Sequence, residues 1–242
     1  MNRGERAVQR AARRRGRSKS SFLTIPFRQI QNTLSPLQLI SPDQVEQLHA
    51  ASMHILEEIG LDFLDDEALT LWQQAGAKVD RKASHVWLDR EMVLELVAKA
   101  PTSFTWLARN PDRNLTVGGN TIIFAPQGGV VFAANLEIGR RPGRLEDYEK
   151  FSKLVQMCNV LHVAGEQLIV PHDIDVSMRH LQRLRLNSTL TDKALMEAAH
   201  GRIIPNDSLN VARIIFGDPL PDEPVLAGII NVNSPQIGRA HV

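Results

Sequence analysis

Polar side chains follow four apolar segments that have the composition of β-strands. The segments span residues 121–125, 161–169, 193–198 and 225–232, and the polar residues within or after them are Gln127, Glu166, Gln167, Glu197, His200, Asn231, Asn233 and Ser234. At the carboxyl ends of parallel strands such side chains would meet at one edge of a sheet, where barrel enzymes build their active sites. The alternatives are a Glu166 or Glu197 that pairs with an arginine, and a His200 that only forms a turn.

The last of these segments carries the clearest pattern. Asn231 and Asn233 are two positions apart, so on an extended strand their amides point to the same side. Buried amides require hydrogen-bonding partners, and a bound ligand is one way to supply them. Together with Ser234, they are candidate ligand-binding residues.

Other reactive side chains give weaker indications of chemistry. The single cysteine, Cys158, excludes an internal disulfide bond and falls on a predicted helix, where packing as a small apolar residue is expected. His162, His172 and His180 are separated by ten and eight residues, which is not the spacing of a zinc site. No bound metal is therefore expected.

The elements that carry these residues alternate between strand and helix. Apolar periodicity predicts three helices, over residues 145–158, 174–187 and 207–216. Asp173 and Asn206 precede the last two as expected caps. Short strand–helix–strand connections indicate an α/β fold with parallel strands covered by helices. A barrel is favoured over a dinucleotide-binding sheet because Gly128-Gly129 lacks a third glycine and does not run into a helix.

A predominantly helical region precedes these strands. Ser41-Pro42-Asp43-Gln44 has the form of a capping box, and apolar residues at helical spacing follow it. Asp65 and Asp89 are expected to cap two further helices. Residues 22–115 are therefore interpreted as a helical cap region, and residues 116–236 as the strand–helix domain.

Positive charge is concentrated at the N-terminus. Residues 1–20 hold eight Lys or Arg against one Glu, although the whole chain has a formal net charge of +1. Such a segment can bind phosphates, but it has no aromatic residue to stack on a base, so residues 1–21 are interpreted as a disordered tail and nucleic-acid binding is kept as an alternative. Neither a membrane-spanning run nor a secretory signal is present, so a cytoplasmic protein is expected.

Several segments together resemble one family. They are SPDQVEQLHAASMHILEEIGLDFLDDEALTLWQQAGAKVD, APTSFTWLARNP, IIFAPQGG, GRRPGRLEDYEKFSKLVQ and INVNSP. In this order they are similar to the N-terminal half of the trimethylamine methyltransferase family, which includes the glycine betaine methyltransferases. The resemblance implies the first half of a (β/α)8 TIM barrel. It also implies transfer of a methyl group from a methylated or quaternary amine to the Co(I) corrinoid of a partner protein, with no cofactor bound directly and a homo-oligomeric full-length protein.

The resemblance also suggests which residues contact the amine. Aromatic faces would come from Phe124, Phe132 and Tyr148, which flank the first strand end, and polar groups from Gln127, Glu166, Asn231, Asn233 and Ser234. Catalytic residues are not identified. A lyase or aldolase on the same barrel is the alternative enzyme, but Lys193 begins its strand rather than ending it, which argues against a Schiff-base lysine.

The end of the chain is interpreted separately. Residues 237–242 match one reading frame of a sequencing adapter and are expected not to be native. Because members of the resembled family are considerably longer, the chain is expected to be a truncated product. We expect such a product to be inactive alone and to associate through uncovered strand edges.

Overall fold

The computed structural model describes residues 25–230. The candidate residues Asn231, Asn233 and Ser234 lie outside this range, as do the basic tail 1–21 and residues 237–242. Within residues 25–230, no helix is both long enough and apolar enough to cross a membrane.

The described chain consists of helices and short strands. The α-helices are α1 (Pro42–His54), α2 (Asp66–Gln74), α3 (Arg90–Ala98), α4 (Leu145–Met157), α5 (Arg179–Leu190) and α6 (Ile203–Phe216). A π-helical turn, Ile55–Ile59, continues α1, and two 3₁₀ turns lie at Pro111–Arg113 and Val176–Met178. The strands are β1 (Ile30–Gln31), β2 (Leu61–Asp62), β3 (Lys78–Asp80), β4 (His85–Trp87), β5 (Ser103–Trp106), β6 (Leu115–Gly118), β7 (Thr121–Ile122), β8 (Phe132–Asn135), β9 (Gly139–Pro142), β10 (Leu195–Met196) and β11 (Leu226–Ala227).

The chain divides into two compact units. The smaller unit is formed mainly by Thr33–Ser103, and the larger unit by Phe104–Ala198 and Arg202–Gly228 together with residues 25–32. The smaller unit thus covers much of the region predicted as a helical cap, and it contains a sheet that the sequence analysis did not predict. In this sheet β4 lies between β2 and β3, with antiparallel pairing on both sides.

Helix starts in the smaller unit follow the local capping chemistry. The Ser41 side chain accepts a hydrogen bond from the Gln44 amide, while the Gln44 side chain accepts one from the Ser41 amide. Asp65 and Asp89 accept from the first-turn amides of α2 and α3. These three predicted caps are confirmed. They could be predicted because each hydrogen bond joins residues only two or three positions apart.

The junction between the π-helical turn and the sheet is closely packed around His85. Gly60 ends the turn with a φ of +77°, and a Cβ at this position would lie 2.5 Å from the Nε2 atom of His85. The two ring nitrogens of His85 lie 2.5 Å from Asp62 Oδ1 and 2.7 Å from the Ile59 carbonyl oxygen. Because both neighbours are acceptors, the geometry favours the imidazolium form, which donates from both nitrogens.

The His85 contacts predict a pH-dependent stability. The hydrogen bond to Asp62 raises the pKa of the His85 imidazole above its usual range. A raised folded-state pKa gives stability that is complete below about pH 6.5 and is lost as the pH rises through the folded-state value. We expect the melting temperature of the wild type to fall over that interval, and this fall to be smaller in His85→Gln. The exposed His49→Gln variant is the control, and an unchanged pH dependence in His85→Gln would contradict the assignment.

Parallel pairing in the larger unit connects three successive segments. Val163 forms a parallel bridge with Ala194, and β10 pairs in parallel with β11. Helices α5 and α6 lie between these segments in the sequence. Val163 and Ala194 are fully buried in one apolar cluster with Leu115 of β6 and Trp106 of β5, so the parallel segments pack in the core of the unit.

The strands of the larger unit are shorter than predicted. The first predicted strand, residues 121–125, is reduced to β7, which pairs antiparallel with β1. Beyond Ile122, the Phe124 amide donates to the His162 ring rather than to a neighbouring strand. The predicted strand 161–169 is reduced to the bridge at Val163, because the chain turns at Gly165 with a φ of +91°.

Two predicted helix caps were wrong. Helix α6 begins at Ile203 instead of Asp207, so Asn206 lies inside its first turn and does not cap it. Pro205 is tolerated in this turn because an amide there would have no acceptor within the helix. Asp173 accepts a hydrogen bond from the Leu145 amide at the start of α4, while Asp175 caps the 3₁₀ turn before α5. Asp175, two residues after Asp173, thus supplies the capping carboxylate in this segment, and Asp173 does not.

Candidate functional site

Two loops that follow strand segments of the larger unit are joined by backbone hydrogen bonds. The Gly129 amide donates to the Gln167 carbonyl oxygen at 2.8 Å, and the Val170 amide donates to the Val130 carbonyl oxygen at 2.7 Å. The loop carrying Gln127 therefore lies beside the loop carrying Glu166.

The Glu166 loop makes its turn at a residue that must be glycine. Gly165 has a φ of +91°, which is unfavourable for other residues. A Cβ at Gly165 would also lie 2.6 Å from Pro126 Cγ and 2.8 Å from Leu168 Cδ2. The loop is thus closely packed on both sides of the turn, and the direction of the chain at Glu166 is fixed.

The Glu166 carboxylate is available for a ligand. Its side chain is half-buried, and within residues 25–230 it has neither a hydrogen-bond partner nor an ion-pair partner. Gln127 is exposed, and its amide nitrogen donates to the adjacent Gly128 carbonyl oxygen at 3.2 Å. The two predicted residues therefore lie on neighbouring loops, with Glu166 as the more enclosed of the two.

A buried polar network lies next to the Glu166 loop and was missed as a unit by the sequence analysis. The Asn187 amide nitrogen donates to Glu197 Oε1 at 2.9 Å and to the Gly165 carbonyl oxygen at 3.2 Å. The Tyr148 hydroxyl lies 3.2 Å from Asn187 Oδ1 and 3.3 Å from the Glu166 carbonyl oxygen. The Arg183 Nε donates to Glu197 Oε2 at 3.0 Å.

The charges in this network are buried and partly compensated. Burial raises the pKa of the Glu197 carboxyl to about 7, against the opposing effects of the Arg183 charge and the hydrogen bonds from Asn187 and Arg183. Burial also raises the pKa of the Tyr148 hydroxyl well above its usual range, so this group stays a neutral donor. Glu197 is therefore a paired, structural carboxylate, the alternative that the sequence analysis had kept open for it.

The three aromatic residues proposed for the first strand end lie in different environments. Phe124 is 40% exposed and stacks on His162, with ring centroids 5.8 Å apart. Phe132, in β8, is similarly exposed, and the Arg140 guanidinium lies 3.8 Å from its ring centroid. Tyr148 is fully buried in α4, and its hydroxyl belongs to the buried polar network described above.

Lysine and histidine side chains near the strands have structural partners. The Lys193 ammonium is buried and donates to the carbonyl oxygens of Val155, Cys158 and Leu161 at the end of α4. His162 accepts from the Phe124 amide through Nδ1 and donates to the Arg28 carbonyl oxygen through Nε2. Because the Lys193 amine is fully engaged with carbonyl oxygens, the geometry argues against a Schiff-base reaction at this lysine.

The remaining candidates contribute little to a site. Cys158 is half-buried at the C-cap of α4 rather than inside the helix, and His200 is exposed in the turn before α6. In the described part of the chain, no group of three or more His, Cys, Asp or Glu side chains is arranged to hold a metal ion.

Comparison with known proteins identifies the family. A family model described as trimethylamine methyltransferase (MTTB) matches residues 6–240. The chain belongs to the trimethylamine methyltransferase family. The match extends beyond Pro235, where the resemblance in the sequence segments ends, and it covers both compact units.

Individual relatives of the methyltransferase family differ in their named substrates. A glycine betaine methyltransferase from Desulfitobacterium hafniense (strain Y51) is 38% identical over 84% of this chain and 42% of its own length. A trimethylamine methyltransferase from Desulfitobacterium hafniense (strain DSM 10664 / DCB-2) is 23% identical over 81% of this chain and 40% of its own length. An L-carnitine:corrinoid methyltransferase from Eubacterium limosum is 25% identical over 57% of this chain. The chain spans less than half the length of the first two of these relatives.

Proposed function

We propose that the protein containing these residues transfers a methyl group from a quaternary amine of the glycine betaine class to a reduced corrinoid carried by a partner protein. The observation that carries the proposal is the Glu166 carboxylate, which is half-buried at a strand end and unpaired within residues 25–230. The name of the 38% identical relative supports a betaine rather than trimethylamine. The names of two other relatives, for L-carnitine and proline betaine, include the corrinoid.

The residues present fit a methylated cation. A quaternary nitrogen has no hydrogen to donate, so it is recognised by negative charge and by aromatic faces rather than by hydrogen bonds. The Glu166 carboxylate supplies negative charge, and Phe124 is a partly exposed ring on the strand segment that leads into the neighbouring loop. Gln127 and the residues Asn231, Asn233 and Ser234 complete the proposed set of contacts.

The chemistry requires positioning more than proton transfer. A quaternary amine leaves as a neutral tertiary amine when its methyl group is removed, so no general acid is needed. The corrinoid supplies the nucleophile when it is present, and it belongs to the partner. The contribution of this chain is to hold the amine, orient its methyl group and exclude water.

The fold proposed for the larger unit is the first half of a (β/α)8 barrel. Support comes from the parallel connections in sequence order, from Val163 to Ala194 and from β10 to β11, with a helix between successive segments. In such a barrel the loops that follow the strands form the active-site end. In the proposed barrel, Glu166 and Gln127 would lie on loops of this kind, because they follow Val163 and β7 in the sequence.

The proposal is tested by methyl transfer with the complete reading frame that contains these residues. Glycine betaine, L-carnitine and trimethylamine are each incubated with a reduced corrinoid protein, and the demethylated amine and the methylated corrinoid are measured. We expect dimethylglycine from glycine betaine only when the corrinoid protein is added. Turnover without corrinoid, or none of the three amines reacting, would contradict the proposal.

A further inference from the structure

Two consecutive carbonyl groups of the Glu166 loop are held by side chains from two different helices. The Gly165 carbonyl oxygen accepts from Asn187 on α5, and the Glu166 carbonyl oxygen lies 3.3 Å from the Tyr148 hydroxyl on α4. Both side chains are buried, with exposures of 0% for Asn187 and 1% for Tyr148. Asn187 Oδ1 lies 3.2 Å from the same Tyr148 hydroxyl, so the single hydroxyl proton is shared between Asn187 and the Glu166 carbonyl oxygen.

These contacts fix the chain on both sides of the Glu166 Cα atom. The turn at Gly165 has a φ of +91° and leaves no room for a Cβ beside Pro126 and Leu168, and Asn187 and Tyr148 lie within hydrogen-bonding distance of the two carbonyl groups that flank Glu166. A side chain on a loop held in this way loses less conformational freedom when it binds a ligand. It also presents its charged group from a fixed point, as catalytic positioning requires.

Of the two carboxylates near Asn187, Glu166 is the one whose charge has no ion-pair partner within residues 25–230. Glu197 is paired with Arg183 at 3.0 Å and also accepts from Asn187. Glu166 has no such partner within residues 25–230. Asn187 therefore contacts both Glu197, whose charge is paired with Arg183, and the loop that carries Glu166.

We propose that Asn187 and Tyr148 are positioning residues that orient the Glu166 carboxylate toward the methylated nitrogen of the substrate. The inference rests on the proposed function and adds to it the source of cation selectivity. Neither residue touches the substrate. Their effect is on the difference in affinity between a cation and a neutral group of the same shape.

The experiment measures binding of two ligands that differ only in this charge. Glycine betaine and 3,3-dimethylbutanoate have the same shape, with nitrogen in one and carbon in the other, and their dissociation constants are measured by calorimetry on the complete reading frame. The wild type is expected to prefer glycine betaine by about ten-fold or more. Tyr148→Phe and Asn187→Leu are each expected to reduce this preference by about ten-fold, because a displaced carboxylate no longer meets the charged nitrogen.

Matched controls separate positioning from general loss of structure. Ser152→Ala on α4 and Ser188→Ala on α5 each remove a hydroxyl that donates to a carbonyl oxygen of its own helix, at 2.9 Å and 2.6 Å. A purely structural role would lower the melting temperature and weaken both ligands alike, whereas positioning changes their ratio. We expect the ratio to stay at its wild-type value in both serine variants.

The outcomes distinguish this inference from the proposed function. A wild type that prefers glycine betaine, with the preference reduced in Tyr148→Phe, supports the inference even if Asn187→Leu does not fold. A wild type that prefers glycine betaine, with the preference unchanged in Tyr148→Phe, overturns the inference and leaves the proposed function standing. A wild type that does not distinguish the two ligands overturns both.

Discussion

Replacement of Glu197 by alanine is expected to lower the free energy of unfolding by about 3–5 kcal/mol, because it leaves the Arg183 charge buried without a counter-ion. The side chains of both residues are almost fully buried, with exposures of 3% for Glu197 and 7% for Arg183. Among residues 25–230, the Nη2 atom of Arg183 already lacks a hydrogen-bond partner. The loss of Glu197 therefore removes the one ion-pair partner that the Arg183 guanidinium has in this described part of the chain.

The control removes both charges at once. The double variant Arg183→Met with Glu197→Leu leaves no buried charge and fills a similar volume, so it is expected to lose much less stability than Glu197→Ala. Denaturant unfolding of the wild type, the single variants Arg183→Met and Glu197→Leu, and the double variant gives the coupling energy. Equal losses in the single and double variants would show that packing, and not the ion pair, determines the stability here.

Replacement of Lys193 by methionine is expected to destabilise the larger unit by about 3 kcal/mol, since one buried and two partly buried carbonyl groups would lose their donor. These carbonyls belong to Val155, Cys158 and Leu161, at and just after the end of α4. Burial lowers the pKa of the Lys193 ammonium to about 8, so the donor is charged at neutral pH.

The same substitution on the exposed face of α4 is the control for Lys193. Lys153 pairs with Glu149 across one turn of the helix, and its side chain is 55% exposed. Lys153→Met is therefore expected to change the free energy of unfolding by less than about 0.5 kcal/mol. Urea unfolding near neutral pH compares the two variants, and similar losses would contradict the capping role of Lys193.

Features that depend on residues close in the sequence could be predicted from it. The caps at Ser41, Asp65 and Asp89 involve partners two or three positions away, and the helix predicted over residues 145–158 is present as α4. Strand lengths could not be predicted in this way. The Phe124 backbone bonds to His162, which is 38 residues away, so a segment with strand composition ends early for a reason that lies elsewhere in the chain.

The candidate site shows the same division. The position of Glu166 after an apolar segment identified it as a candidate, but its supporting residues were not recognised, because they lie on helices that were assigned only a covering role. A signal was nevertheless present in α5. His180, Arg183 and Asn187 follow helical spacing and are all buried, and polar residues at core positions of a helix indicate a buried network. Tyr148 gave no comparable signal, because its partner Asn187 is 39 residues away.

In the proposed function, the Glu166 carboxylate holds the methylated cation. This contact is tested by the affinity of glycine betaine and 3,3-dimethylbutanoate for the complete protein with Glu166→Gln, compared with the exposed control Glu149→Gln. Glu166→Gln is expected to abolish the preference for glycine betaine, about ten-fold or more in the wild type, while Glu149→Gln retains it. An undiminished preference in Glu166→Gln would show that another group binds the cation.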